Sequence, residues 1–352
     1  SECEVECQLE NIEDEVNVEV DVEVEDEVKE EPSKEPAQDE PSKRKPQCET
    51  VVQEQEYIEV QPDAVEVDLM RTRLMKIEGL EFLNQVEKLC LRWNLLKKIE
   101  NLDSLTTLTE LDLYDNQIEK IEGLDNLVNL NTLDLSFNRL TKIEGLEKLI
   151  NLKTLYMVHN KLEVIEGLDT LTELEYLELG DNRIKAIQGL DNLVNLKRLF
   201  LGANQIRIME NLDNLVNLEV LSIPANVITV IGGVHKLTKL KELYVNQNGI
   251  SRIGNLEANT ELTILDVNHN RIETVSNISH LRKLTDFWAK QNKISDWNVL
   301  GELCELSELR MIYLEFNPIS SDISTSDYRS RVIKALPRIY RLDADFTGVP
   351  IW

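Results

Sequence analysis

Leu111-Asp-Leu-Tyr-Asp-Asn116-Gln-Ile118 is one copy of a pattern, L-x-L-x-x-N-x-(I/L), that recurs along most of the 352-residue chain. Its asparagine falls at Asn94, Asn116, Asn138, Asn160, Asn182, Asn204, Asn226, Asn248, Asn270 and Asn292, each 22 residues after the last. An eleventh, Asn317, follows by 25. A frayed first copy is Val67, Leu69, Thr72 and Leu74, with threonine in the asparagine place.

Chance does not hold ten asparagines in register. A fixed period of this length with this signature marks a leucine-rich-repeat solenoid. Between Asn116 and Asn138, apolar residues stand at Ile118, Ile121, Leu124, Leu127, Leu130, Leu133 and Leu135. Leu133-Asp-Leu135 alternates in-out-in, which predicts a short strand. The three-residue spacing before it predicts a convex side of tight turns or 3₁₀ helix. The fold class is therefore an α/β solenoid: a horseshoe with a parallel concave sheet, short helical turns on the convex side and a C-terminal repeat cap. Gly79, Gly123, Gly145, Gly167, Gly189 and Gly233 share one place in the repeat with Asn101, Asn211, Asn255 and Asn277. Gly and Asn accept positive φ most readily, so a left-handed turn is expected there. The ladder asparagines could face a ligand. The alternative is that they are buried and hydrogen-bond the backbone of their own and the next coil; that reading is adopted for all eleven.

The repeats divide the chain into an acidic segment 1–60, repeats over 61–317, a cap over 318–346 and an extension 347–352. Residues 1–60 hold 22 Asp/Glu and 5 Lys/Arg, so they supply most of the −27 net charge. The Val-Glu alternation from Val16 to Val28 resembles a strand, but its charge density predicts disorder. Glu31 to Pro46 has a linker profile. Lys43-Arg-Lys45 reads as a nuclear import signal or a solvated charge run, and Ser33 and Ser42 as phosphorylation candidates. Cys3, Cys7, Cys48, Cys90 and Cys304 do not cluster at the caps as disulfides would, which points to a reducing, intracellular home. Cys3 and Cys7 as half a metal site lack a second pair. The start of the chain shows no signal peptide, and no apolar run is long enough to cross a membrane. In the cap, a helix over Asp327–Leu336 puts Tyr328, Val332, Ala335 and Leu336 on one face, capped by Ser326 or Asp327. Pro337 ends it, and Ile339–Leu342 supplies a last strand. Asn259 replaces a convex leucine, and an added triplet (Leu300, Leu303, Leu306, Leu309) accounts for the 25-residue step.

The chain carries no Walker-type phosphate loop, no H-E-x-x-H and no G-x-S-x-G. His159, His235, His269 and His280 are scattered and read as plain polar residues. The carboxylates form a field, without the opposed environments of an acid/base pair. No enzyme, cofactor or metal is expected. A charge of −27 argues against nucleic acid and for a protein partner with a basic patch.

The informative residues stand between the two strand leucines: Cys90, Asp112, Asp134, Tyr156, Glu178, Phe200, Ser222, Tyr244, Asp266, Trp288 and Tyr313. Glu110, Tyr176, Glu242 and Asp286 occupy the neighbouring outward place. Exposed aromatics ringed by charge are the composition of a protein-binding hot spot.

The strict 22-residue repeats with turns such as Lys120-Ile-Glu-Gly-Leu124 resemble the regulatory-subunit-7 family of protein phosphatase 1 regulators. So do Phe287-Trp288-Ala-Lys-Gln-Asn292, Tyr313-Leu-Glu-Phe-Asn-Pro-Ile319, Tyr328-Arg, Ala335-Leu-Pro337 and Leu342-Asp343. The resemblance covers about residues 64–346. It implies that the concave face binds the phosphatase catalytic subunit through Asp134, Tyr156, Glu178, Phe200, Asp266, Asp286, Trp288 and Tyr313; the residue pattern adds Tyr244. Tyr156 stands where the family can have Phe, and Asp286 where it can have Glu. The nearest string to an R/K-V-x-F docking peptide, Arg331-Val-Ile-Lys334, lacks the Phe, which leaves docking to the repeat face. The family further implies a ternary complex with a small phosphatase inhibitor, phosphatase holoenzyme biogenesis, mitotic and epithelial-polarity roles, and residence in nucleus and cytoplasm. Composition alone leaves a rival: an acidic leucine-rich-repeat chaperone or scaffold for histones or other basic proteins.

Overall fold

The computed structural model describes residues 60–349. The acidic segment with its cysteines, serines and Lys43-Arg-Lys45 lies outside them, apart from residue 60, as does the end of the C-terminal extension.

Each repeat supplies one three-residue strand. In order these are β1 (Glu66–Asp68), β2 (Lys88–Cys90), β3 (Glu110–Asp112), β4 (Thr132–Asp134), β5 (Thr154–Tyr156), β6 (Tyr176–Glu178) and β7 (Arg198–Phe200). The series continues with β8 (Val220–Ser222), β9 (Glu242–Tyr244), β10 (Ile264–Asp266), β11 (Asp286–Trp288) and β12 (Met311–Tyr313). Each pairs with the next in parallel and in unbroken register, forming one sheet in chain order. The central apolar residue of each strand, leucine in most, points into the coil and is buried, as in Leu133, Leu177 and Leu221. Burying one such side chain contributes about 1.5–3 kcal/mol. One coil has no partner for its apolar stripe; the stack supplies it on both sides.

The convex side is made of successive i→i+3 turns. Leu127 N–H donates to Leu124 O and Leu130 N–H to Leu127 O, both at 3.0 Å. Among the described residues these turns nowhere lengthen into 3₁₀ helix. The left-handed turn is present at the six glycines and four asparagines named above, with φ between 56° and 75°. A Cβ on Gly167 would lie 2.5 Å from Ile143 O in the coil below. Where asparagine stands instead, at Asn101, Asn211 and Asn255, its amide donates to the equivalent carbonyl, of Ile77, Ile187 and Ile231.

The ladder asparagines join coils, but to the preceding coil rather than the next. Asn182 Nδ2 donates to Leu179 O and Gly180 O in its own turn and to Met157 O one coil back. Its Oδ1 accepts from Leu162 N–H, also one coil back, at 3.0 Å. The same set recurs from Asn94 to Asn317. Ten of the eleven are buried; Asn248 is half-buried. In the frayed copy, Thr72 Oγ1 donates to Leu69 O.

The C-terminal end adds one element and corrects one expectation. The added residues before β12 form a short helix, α1 (Val299–Cys304), because Val299, Leu300 and Leu303 share one buried face. After Asn317 a single turn, α2 (Pro318–Ser321), leads to α3 (Thr325–Ala335), whose N-cap is Ser324 rather than Ser326 or Asp327. Ser324 Oγ accepts from Asp327 N–H at 3.1 Å and donates to its carboxylate. Beyond Pro337, β13 (Arg341–Leu342) continues the parallel sheet and β14 (Asp345–Phe346) turns back antiparallel. Asp343 closes the last coil: its carboxylate accepts from Leu314 N–H, Glu315 N–H and the buried Tyr328 hydroxyl.

Candidate protein-binding face

The strand register lines up the third residue of every strand. Asp112, Asp134, Tyr156, Glu178, Phe200, Ser222, Tyr244, Asp266, Trp288 and Tyr313 form a single row across the concave sheet. Eight of the nine anticipated site residues stand in it. Asp286 occupies the neighbouring row, where its carboxylate accepts from Thr285 Oγ1 at 2.6 Å.

The concave face holds two aromatic groups, with Tyr176 contributed by the neighbouring row. Tyr156, Tyr176 and Phe200 pack with ring centroids 5.0 and 5.1 Å apart. Tyr244, Trp288 and Tyr313 pack at 6.3 and 6.1 Å. Contacts of this kind add about 0.5–1.5 kcal/mol beyond burial. The hydroxyls are committed sideways: Tyr176 donates to Glu178 and Tyr244 to Glu242. The Trp288 indole N–H is buried with no acceptor. A shallow hollow beside it is lined by Asn246, Asn268, His269, Trp288, Lys290 and Tyr313.

These side chains are less exposed than their sequence suggests. All but one of the row are half-buried, and Asp266 is only 6% exposed. Burial pushes the carboxyls of Asp112 and Asp266 up to about 6. It raises Asp134, Glu178 and Asp286 as well, against backbone or hydroxyl donors that pull the other way. Asp134 keeps the N–H of Ser136 at 2.8 Å, and Asp266 that of Asn268 at 2.9 Å. Taking these charges out of water costs free energy. Cys90, the one thiol in the row, is pushed up to about 11 by burial and stays protonated. Among the described residues no three or more His, Cys, Asp or Glu are grouped as a metal site.

A second set of rings escaped the sequence reading. Trp93, Tyr114, Phe137 and His159 follow one another along the rim just beyond the sheet, with centroids 6.1, 4.9 and 4.6 Å apart. Trp93, Phe137 and His159 each precede a ladder asparagine in a left-handed conformation, φ 54°. Aromatic residues one or two places before successive asparagines are the signal that would have found them.

Family models for leucine-rich repeats match residues 128–170, 172–216 and 238–283 as double copies and 104–120 as a single one. The chain is a leucine-rich-repeat protein, of a fold that is typically non-catalytic and suited to binding other proteins. Among solved structures it is similar to an internalin, inlF, from Listeria monocytogenes: 29% identity, 79% of each chain covered, TM-score 0.71. A leucine-rich-repeat protein from Leptospira interrogans is 25% identical over 76% of this chain and 74% of its own, with TM-score 0.61. A plant peptide hormone receptor, RGFR1, solved in complex with RGF2, shares the fold at 24% identity, 75% and 48% coverage and TM-score 0.53. No curated protein sequence matches the chain.

Proposed function

We propose that this protein is a non-catalytic regulatory subunit of protein phosphatase 1 and holds the catalytic subunit on its concave face. The observation that carries the reading is the row from Asp134 to Tyr313, in which two aromatic groups alternate with carboxylates whose charge is partly desolvated. Such a face offers large rigid anchors for a hot spot and acidic groups for a basic surface. The resemblance of the repeats to the phosphatase regulators supplies the partner. On the same footing, the complex admits a small phosphatase inhibitor as a third member, forms in nucleus and cytoplasm, and keeps the phosphatase in a low-activity state.

The test is titration of the full chain into purified catalytic subunit, reading both affinity and phosphatase activity. Saturable binding with suppressed activity is expected. Full activity in the saturated complex would remove the inhibitory part; absence of binding would remove the reading. The net charge of −27 favours a second reading, a chaperone for histones or other basic proteins. Its mark is binding carried by residues 1–60 and lost as salt is raised.

A further inference from the structure

Opposite charges in this solenoid meet across neighbouring coils, 22 residues apart. Lys197 pairs with Glu175 at 2.6 Å, Lys241 with Glu219 at 2.8 Å and Lys283 with Glu261 at 2.6 Å. One row breaks the habit. Directly after three consecutive ladder asparagines stand Arg139, Lys161 and Arg183, all exposed. Their backbone amides tie coil to coil, through Ile118 O, Leu140 O and Leu162 O, so the three places are stacked about 5 Å per coil. Like charge therefore faces like charge. Among the described residues none of the three has an ion pair or a side-chain hydrogen bond. Nearby cations are answered differently: Lys142 is met by Glu144 and Lys185 by Glu163.

The imbalance extends along this flank. The residues one, three and four places after the asparagines from Asn94 to Asn292 include twelve Lys/Arg and four Asp/Glu. The chain as a whole is strongly acidic, so its charge is sorted: carboxylates on the concave face, cations on the flank beside it. Next to Arg139 and Lys161 runs the ring ladder, with Phe137 36% exposed and stacked on His159.

We propose that this flank, centred on Arg139, Lys161 and Arg183, is a second docking surface that takes an acidic, extended peptide segment of a protein partner. Carboxylates of the segment neutralise the unpaired row, and its apolar groups lie against the ring edges. A peptide fits better than a nucleic acid for two reasons on the molecule itself. The rings pack on one another: Phe137 is stacked on His159 on one side and crowded by the tilted Tyr114 ring on the other, which leaves little open face for a base. A long polyanion also meets the repulsion of the acidic remainder, whereas a short segment feels mainly the local row.

The experiment is fluorescence anisotropy with the full chain and a short, fluorescein-labelled Glu/Leu peptide at moderate salt. The variant combines Arg139→Gln, Lys161→Gln and Arg183→Gln, since glutamine is the natural residue in the same place at Gln117 and Gln205. Saturable binding is expected to weaken at least about tenfold in the triple variant and to persist in Lys148→Gln on the convex side. It is also expected to persist in Trp288→Ala, which separates this surface from the concave one. The proposal is overturned by any of four results: no saturable binding of the peptide; equal binding by the triple variant; tighter binding of a single-stranded oligonucleotide of equal charge; or, with no peptide bound, a self-association of the chain that the triple variant abolishes.

Discussion

Phe200 and Trp288 occupy the same place in β7 and β11, four strands apart in one uninterrupted register. At the usual strand spacing they are about 19 Å apart, within the span of one partner surface. Phe200 ends one three-ring group and Trp288 is the middle of the other, so each presents a supported, rigid aromatic to that surface. Trp288→Ala and Phe200→Ala are each expected to weaken phosphatase binding at least about thirtyfold, in keeping with about 2 kcal/mol for a central aromatic. Asp134→Ala should have a smaller, salt-sensitive effect, and Lys148→Ala none. Isothermal titration of the four variants, with melting curves as a fold control, checks the set. Loss of binding in Lys148→Ala with Trp288→Ala intact would place the interface elsewhere.

The buried carboxylates predict opposite pH trends for stability and binding. Asp266 moves from its ordinary value of 3.8 to about 6 on folding. Between those values the folded protein holds a proton that the unfolded chain has released, so this group makes the fold less stable as pH rises toward 6 and more stable as it falls. A shift of this size corresponds to at most about 3 kcal/mol. Asp266→Asn, whose side-chain carbonyl can still accept from Asn268 N–H, should therefore raise the melting temperature at neutral pH and flatten its pH dependence relative to the parent. The same change should weaken phosphatase binding, because a cationic partner needs the charge. A lower melting temperature in Asp266→Asn at neutral pH would count against a desolvated carboxylate there.

Asn182→Leu tests the ladder. It leaves Leu162 N–H and the carbonyls of Met157, Leu179 and Gly180 without their side-chain partner. Each buried group left bare costs about 1–3 kcal/mol, so chemical denaturation should show a loss of several. A midpoint equal to the parent's would remove the asparagine from the structural account.

The cap is tested by two changes of different size. Tyr328→Phe deletes one of three donors to Asp343 and should cost about 1–2 kcal/mol. Asp343→Ala also bares Leu314 N–H and Glu315 N–H and should cost more. Urea melts of the pair give the order, and the reverse order would show that the tyrosine hydroxyl, not the carboxylate, holds the last coil.

The coil, the strand row and the left-handed turn at the shared Gly/Asn place were legible because each depends on residues inside one repeat. What was not legible depends on neighbours. Nothing in Asp266 or Asp112 announces a carboxyl near 6; adjacent strands shield it from water. Nor does the chain signal positive φ at Trp93, Phe137 or Ala203, where the hydrogen bonds of the next residue, the ladder asparagine, fix the backbone whatever side chain is attached. The spacing Leu300, Leu303, Leu306, Leu309 suits one more turn as well as a helix, and α1 forms because its buried face packs toward α3. Ser324, Ser326 and Asp327 are all residue types that cap helices, and only the extended backbone at Ser324 selects among them.

The asparagine bonds that leave a coil all run backwards, to the coil before it, and this gives the solenoid a direction. Strip off the last coil and its predecessor is left with a bare N–H and a carbonyl held only by its own asparagine; strip off the first and the second keeps the loop that holds its own strand. Asp343 and Tyr328 stand at the end where the first kind of loss would begin. The repeat array is wired with a polarity, latched at its C-terminal end, where Asp343 covers the amides that the last ladder step leaves open.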